Sequence, residues 1–147
     1  MEEKVYTIEE ILNKRGAYVF TAEGESMLPM LVGDVDTLVV QKVTDKLSVY
    51  DVALYRRGDK YVLHRVVELV NDGYIMRGDN CYYDEFVTFQ EVLGVLTEFY
   101  HNGKNVLCTD KKYLRYARRR VKNYPIRRFS MRVRNGFKKV LNIFKKK

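Results

Sequence analysis

A serine at position 26, within "GESMLPMLVGD", stands between glutamate and methionine where a strand-like run gives way to a loop. A hydroxyl is a poor nucleophile near neutral pH, so it needs a base that takes its proton during attack and returns it to the leaving group. Imidazole does both, and His64 in "YVLHRVV" is the candidate. A carboxylate on the far ring nitrogen would fix the tautomer and stabilise the imidazolium, and backbone N–H groups beside the serine, those of Gly24 and Ser26, would hold an oxyanion. "MRGDNCYYDEF" supplies Asp79 and Asp84, either of which could orient the ring. Read singly, each residue has an ordinary meaning. Serine beside glycine is a common turn residue, and a histidine in a strand is commonly half-buried with a backbone partner. Cys81 offers a rival nucleophile, although no helix start or cationic neighbour is evident to generate its thiolate.

These side chains are distant in sequence, so the elements between them must bring them together. Gly24 gives the serine loop freedom and Pro29 stiffens it. In the strand pattern around His64, one face carries Tyr61, Leu63, Arg65 and Val67, and the other carries Val62, His64, Val66 and Glu68. Thr7 and Glu10 have capping-box spacing, Ile8, Ile11 and Leu12 form a helical stripe, and Gly16 is placed to end it. The spacing therefore predicts one short opening helix. Six runs follow, "AYVFTAEG", "DTLVVQKV", "DVALYRRG", "YVLHRVVEL", "GYIMRGD" and "EVLGVLTEFY", each bounded by turn residues. They predict a mostly β fold, an antiparallel sheet coiled on itself or sandwiched, with "RRGDKY" as a tight hairpin turn.

The 147 residues, 46% of them hydrophobic, suit one domain with an appendage. Residues 111 to 147 hold 16 Lys and Arg and no acid, which leaves 11 basic and 19 acidic residues in the preceding part. Composition thus breaks near Asp110, and the expected organisation is a domain over 1–105 and a basic tail over 106–147. No uninterrupted apolar run approaches the roughly 18 to 20 residues a spanning helix needs. The start, "MEEKVYTIEE", is acidic and polar, unlike a secretory signal, and a cytoplasmic chain is expected. Cys81 and Cys108 lack both CxxC spacing and nearby histidines, so free thiols are expected and no zinc site is implied.

"GESMLPML" followed by "GD", then "DVALYRR", "HRVV" and "RGDNCYYDEF" ahead of "VLGVL", resembles the ordered boxes of the type I signal peptidase and LexA-like serine peptidase superfamily. The likeness covers roughly residues 20 to 97. Histidine in an "HRV" box is the endoplasmic-reticulum version, whereas most bacterial members use lysine. The resemblance implies a serine endopeptidase with Ser26 as nucleophile, His64 as general base and Asp84 as the third member, ahead of Glu85. Asp79 would support the turn or the histidine. It also implies small substrate side chains near Ser26, and no cofactor. Gly33 and Asp34 are expected to shape a turn. Glu25 adds negative charge beside a developing oxyanion and should slow attack unless it points away. The alternative is a lapsed peptidase scaffold that binds membrane or nucleic acid.

The tail places Phe129, Val133, Phe137, Val140, Leu141 and Phe144 on one helical face with Arg and Lys, including Lys138 and Lys139, opposite. Such a helix can lie on anionic lipid, bind nucleic-acid phosphates, or pack on the body with its charges solvated. The inner membrane surface is the expected partner beside a peptide or protein substrate. Nucleic acid ranks below both lipid and packing on the body, and the absence of a recognisable DNA-reading motif such as a helix-turn-helix counts against a LexA-type repressor.

Overall fold

A computed structural model describes residues 5 to 145. The opening helix is present as α1 (Ile8–Arg15), with the Thr7–Glu10 capping box formed and Gly16 left-handed at its end. Strands follow as β1 (Ala17–Thr21), β2 (Thr37–Lys42), β3 (Val52–Arg57), β4 (Lys60–Val70), β5 (Gly73–Arg77) and β6 (Glu85–Thr88). A short 3-10 turn then leads into β7 (Val92–His101) and β8 (Lys104–Leu107), and two helices close the chain, α2 (Lys111–Lys122) and α3 (Tyr124–Lys145). The fold is mixed rather than mostly β. Among the described residues eight strands form one antiparallel sheet, and three α-helices of 8, 12 and 22 residues stand beside it.

The sheet runs β1-β2-β7-β3-β4-β5-β6, with β8 added to β7, and it does not close on itself. Register shifts in the β2–β7, β3–β7 and β4–β5 pairings interrupt the ladder, and such bulges bend strands. Central strand β3 is covered on both faces. Val52 and Leu54 join a core with Leu12, Met27, Leu38, Val40, Leu96 and Phe99, while Ala53 and Tyr55 join a second with Val66, Tyr74, Met76 and Val87. This is what period-two alternation produces when both sides of a strand are buried.

Two local devices place the chemistry. The "RRGDKY" turn is a two-residue hairpin in which Arg57 pairs Lys60 and Gly58 is left-handed. That fixes the β3–β4 register, so His64 lies opposite Ala53 and Tyr55 opposite Val62, leaving Tyr55 and His64 diagonal neighbours on one face. The second device is an ion pair between Arg65, 1% exposed, and Asp79, 3% exposed. The guanidinium donates from Nε and Nη2 to the two carboxylate oxygens, each at 2.7 Å. Its Nη1 reaches the Tyr50 carbonyl at 2.8 Å and the Tyr113 hydroxyl at 3.2 Å. Burial opposes the arginine's charge, but the Asp79 carboxylate outweighs it and holds the group protonated.

The break in composition at Asp110 is not a break in packing. Tyr113 and Ala117 of α2 and Tyr124 at the start of α3 are buried, and Tyr113 meets Phe99 edge to face. The Tyr116 hydroxyl donates to Asp79 at 2.9 Å. The body thus continues to the first turn of α3, beyond which the helix is exposed apart from a half-buried Met131. Among the described residues no helix is long and apolar enough to cross a membrane.

Asp79→Ala would strand a buried guanidinium, for which about 3–5 kcal/mol is the expected loss. Thermal unfolding should register it as a Tm drop on the order of 10 °C. Replacing Arg65 and Asp79 together by methionine and leucine should cost less than either single change. A double variant as unstable as the worse single would show that the pair's polar neighbours, not the uncompensated charge, dominate.

Candidate functional site

Ser26 sits in a loop that glycines fold tightly. Gly24 adopts φ +74°, and a Cβ on Gly33 would strike the Gly24 backbone, so both ends of "GESMLPMLVG" need glycine. Asp34 donates its N–H to the Ala22 carbonyl at 2.7 Å, and the buried Asp36 carboxylate accepts the Val32 N–H at 2.8 Å and lies 2.8 Å from His101 Nδ1. Gly33 and Asp34 shape the turn, as expected. From the other side, Asn80 donates its N–H to the Ser26 carbonyl at 2.8 Å and its side-chain amide to the Glu25 carbonyl at 3.1 Å. The amides of Gly24 and Ser26 donate to no backbone carbonyl among the described residues. Glu25 is exposed.

Gly78 is the meeting point. A Cβ there would lie 2.6 Å from the Ser26 carbonyl oxygen, 2.7 Å from Cys81 Sγ and 3.0 Å from His64 Nε2. Only a residue without a side chain lets the serine loop and the imidazole approach so closely. Ser26 and His64 also line one cleft of about 780 Å³, bordered by Tyr18 and Phe20 of β1 and floored by Leu31, Leu38 and Leu54. Cys81 is buried and does not line that cleft. Both cysteines are free thiols.

The histidine is buried, 2% exposed, and its far nitrogen is not met by an aspartate. Nδ1 lies 3.0 Å from the Tyr55 hydroxyl, and that hydroxyl donates to Glu85 Oε2 at 2.6 Å. The Glu85 carboxylate is gripped by Arg57, through Nε to Oε1 at 2.5 Å and Nη2 to Oε2. A carboxylate only accepts, so the Tyr55 hydrogen is committed to Glu85 and the phenol oxygen must accept from His64 Nδ1–H. Nε2 then carries the lone pair, facing Gly78. Burial raises the Glu85 pKa, but Arg57 and the Tyr55 hydroxyl outweigh it and hold the group below its ordinary value. Burial and the adjacent carboxylate push the Tyr55 phenol up. Burial pushes His64 down to about 4, against the opposing pull of Glu85, so the ring is neutral at pH 7.

The carboxylates thus divide differently from the expectation. Asp84, expected at the imidazole, pairs instead with Arg77 at 2.5 Å and is exposed on its other side. Neighbouring strand residues face opposite ways, and β6 begins at Glu85, which turns Glu85 inward with Oε2 3.9 Å from His64 Nδ1. Asp79 braces the loop through Arg65 and touches the histidine only through the long-range field of its charge. Tyr55 and Arg57 were missed because hydroxyl and guanidinium side chains in an apolar strand look like packing and surface. The hairpin register was the signal that would have placed Tyr55 beside His64.

The tail residues Phe129, Val133, Phe137, Leu141 and Phe144 lie along α3 and are all exposed, as are Lys138 and Lys139. None of them lines the cleft that Ser26 borders. Comparison with known proteins finds no matching family model, curated protein or solved structure.

The unfolded chain protonates His64 at its ordinary 6.5, whereas the folded protein does so only near 4. Between those values the unfolded state binds more protons, so stability should fall as the pH drops through this window. His64→Gln is expected to make that decline shallower in urea unfolding measured from pH 7 to pH 4. An unchanged slope would mean that the ring is not held neutral.

Proposed function

We propose that the protein is a serine endopeptidase in which His64 activates Ser26. The observation that carries this reading is the hydrogen-bonded chain Glu85–Tyr55–His64, which leaves Nε2 unprotonated toward the Ser26 loop. As Oγ attacks the peptide carbonyl carbon, its proton passes to Nε2, and the carbonyl oxygen becomes an anion that the Ser26 and Gly24 amides can receive. The imidazolium gives the proton to the departing amine nitrogen as the C–N bond breaks. Water then attacks the acyl-serine, losing a proton to Nε2, and Oγ leaves with that proton to restore the enzyme. Glu85 stabilises the transient imidazolium through Tyr55, offsetting the burial that disfavours it.

Strand β1 ends the sheet and borders the cleft, so an extended substrate can pair along it as an added strand. The superfamily resemblance implies small side chains beside the nucleophile. The floor of Leu31, Leu38 and Leu54 and the cleft volume also suit larger apolar side chains.

A fluorophosphonate that acylates activated serines tests the mechanism without a known substrate. Labelling should occur at Ser26 and vanish in Ser26→Ala. It should slow by about 10²–10⁴-fold in His64→Gln, the range a positioned general base supplies. Tyr55→Phe should lose roughly 10²-fold, the lower end of that range, while Asp84→Asn stays near wild type. Labelling that ignores His64 would refute the proposal. With peptide libraries, cuts are expected next to apolar residues, and cuts flanked mainly by charged residues would contradict the cleft assignment.

A further inference from the structure

We propose that α3 is a docking helix for the surface of an anionic phospholipid bilayer. The helix has 22 residues, so it is about 33 Å long at 1.5 Å per residue. Its apolar stripe lies bare, from Phe129 through Phe137, 69% exposed, to Phe144, 74% exposed. The stripe is turned away from the body where the body grips the helix, at its first turn, and beyond that turn only Met131 is half-buried. Tyr124 is buried under the Arg77 guanidinium, 3.3 Å from its ring centroid, and Arg127 donates to the Asp79 carbonyl at 2.8 Å.

Charge selects the occupant. From Tyr124 to Lys145 the helix carries seven Lys and Arg and no acid. A second copy laid on the same stripe would set two such cationic helices side by side. Nucleic acid would engage the basic face and leave the phenylalanines in water. A bilayer with anionic headgroups meets both needs at once: the rings enter the acyl boundary while Arg132 and Arg134, flanking the stripe, reach phosphates. Arg120 of α2 donates to the same Asp79 carbonyl at 2.9 Å, and the next residue, Asn80, donates to the Ser26 carbonyl, so the roots of both helices are tied to the segment that contacts the serine loop. If the peptidase reading stands, docking would hold the cleft at the membrane surface, and the substrate would be a peptide segment near it.

The chain contains no tryptophan, so Phe144→Trp introduces a single reporter. With vesicles of phosphatidylcholine containing one third phosphatidylglycerol, its emission should shift to the blue and be quenched by brominated acyl chains. Phosphatidylcholine alone should give little shift. Lys138→Glu with Lys139→Glu should weaken vesicle binding by about 30-fold or more, since each basic group near an anionic surface contributes substantially. Circular dichroism of the variants should match wild type, since the changes are exposed. A blue shift that grows with protein concentration without lipid, or DNA binding with the tryptophan still in water and no vesicle response, would overturn the inference. Fluorophosphonate labelling of the same samples separates the two proposals: vesicle binding without Ser26 labelling retains this one and removes the peptidase reading, and labelling without vesicle binding does the reverse.

Discussion

The buried Arg65–Asp79 pair is the constraint on which the rest of the site depends. A buried ion pair adds little net stability over an apolar pair of similar size, because removing both charges from water costs much of what their attraction returns. What it provides is position. Arg65 adjoins His64 on β4, and Asp79 adjoins Gly78, so tying the first pair of residues together sets the second pair face to face. The same carboxylate takes the Tyr116 hydroxyl, and the Asp79 carbonyl takes Arg120 and Arg127. One buried charge therefore connects the central sheet, the serine loop and the carboxy-terminal helices.

Around that fixed point the imidazole meets two opposing demands. In the proposed reaction the base must be unprotonated at rest, and burial favours this by pushing His64 down to about 4. It must also accept a proton during reaction, which burial resists. The Glu85 carboxylate, 3.9 Å from Nδ1 and bonded to it only through the Tyr55 phenol, lowers that resistance, and Arg57 keeps it ionised and in place. Placing tyrosine between carboxylate and ring yields a weaker resting base than direct contact would, but the Nδ1–H tautomer is still fixed. The arrangement trades proton affinity for readiness across the neutral range.

Much of this was legible in the sequence because it rests on local signals. The Thr7–Glu10 capping box and Gly16 delimit α1, and "RRGDKY" fixes a hairpin register. Ser26 and His64, singled out by type and spacing, border one cleft. Glu85 and Asp84 could not be told apart, since which of two adjacent residues faces inward depends on the residue at which a four-residue strand begins. That strand and β8 were themselves too short to stand out between turn residues. The docking of α2 was hidden by its charge: Tyr113 and Ala117 make an i, i+4 stripe inside a segment crowded with arginines, and the long stems of such residues lie readily over apolar surface. Helix in the basic tail was itself expected; the fold is mixed because two helices fill that tail, and the first of them packs on the sheet.

The central claim concerns where one proton sits. Nitrogen NMR of the His64 ring in the folded protein at pH 7 reads it directly, without substrate or partner. The expected result is a neutral ring protonated at Nδ1, with an unprotonated Nε2 resonance that moves when Tyr55 is replaced by phenylalanine. A ring protonated at Nε2, or an imidazolium at that pH, would leave Ser26 without a base and contradict the account.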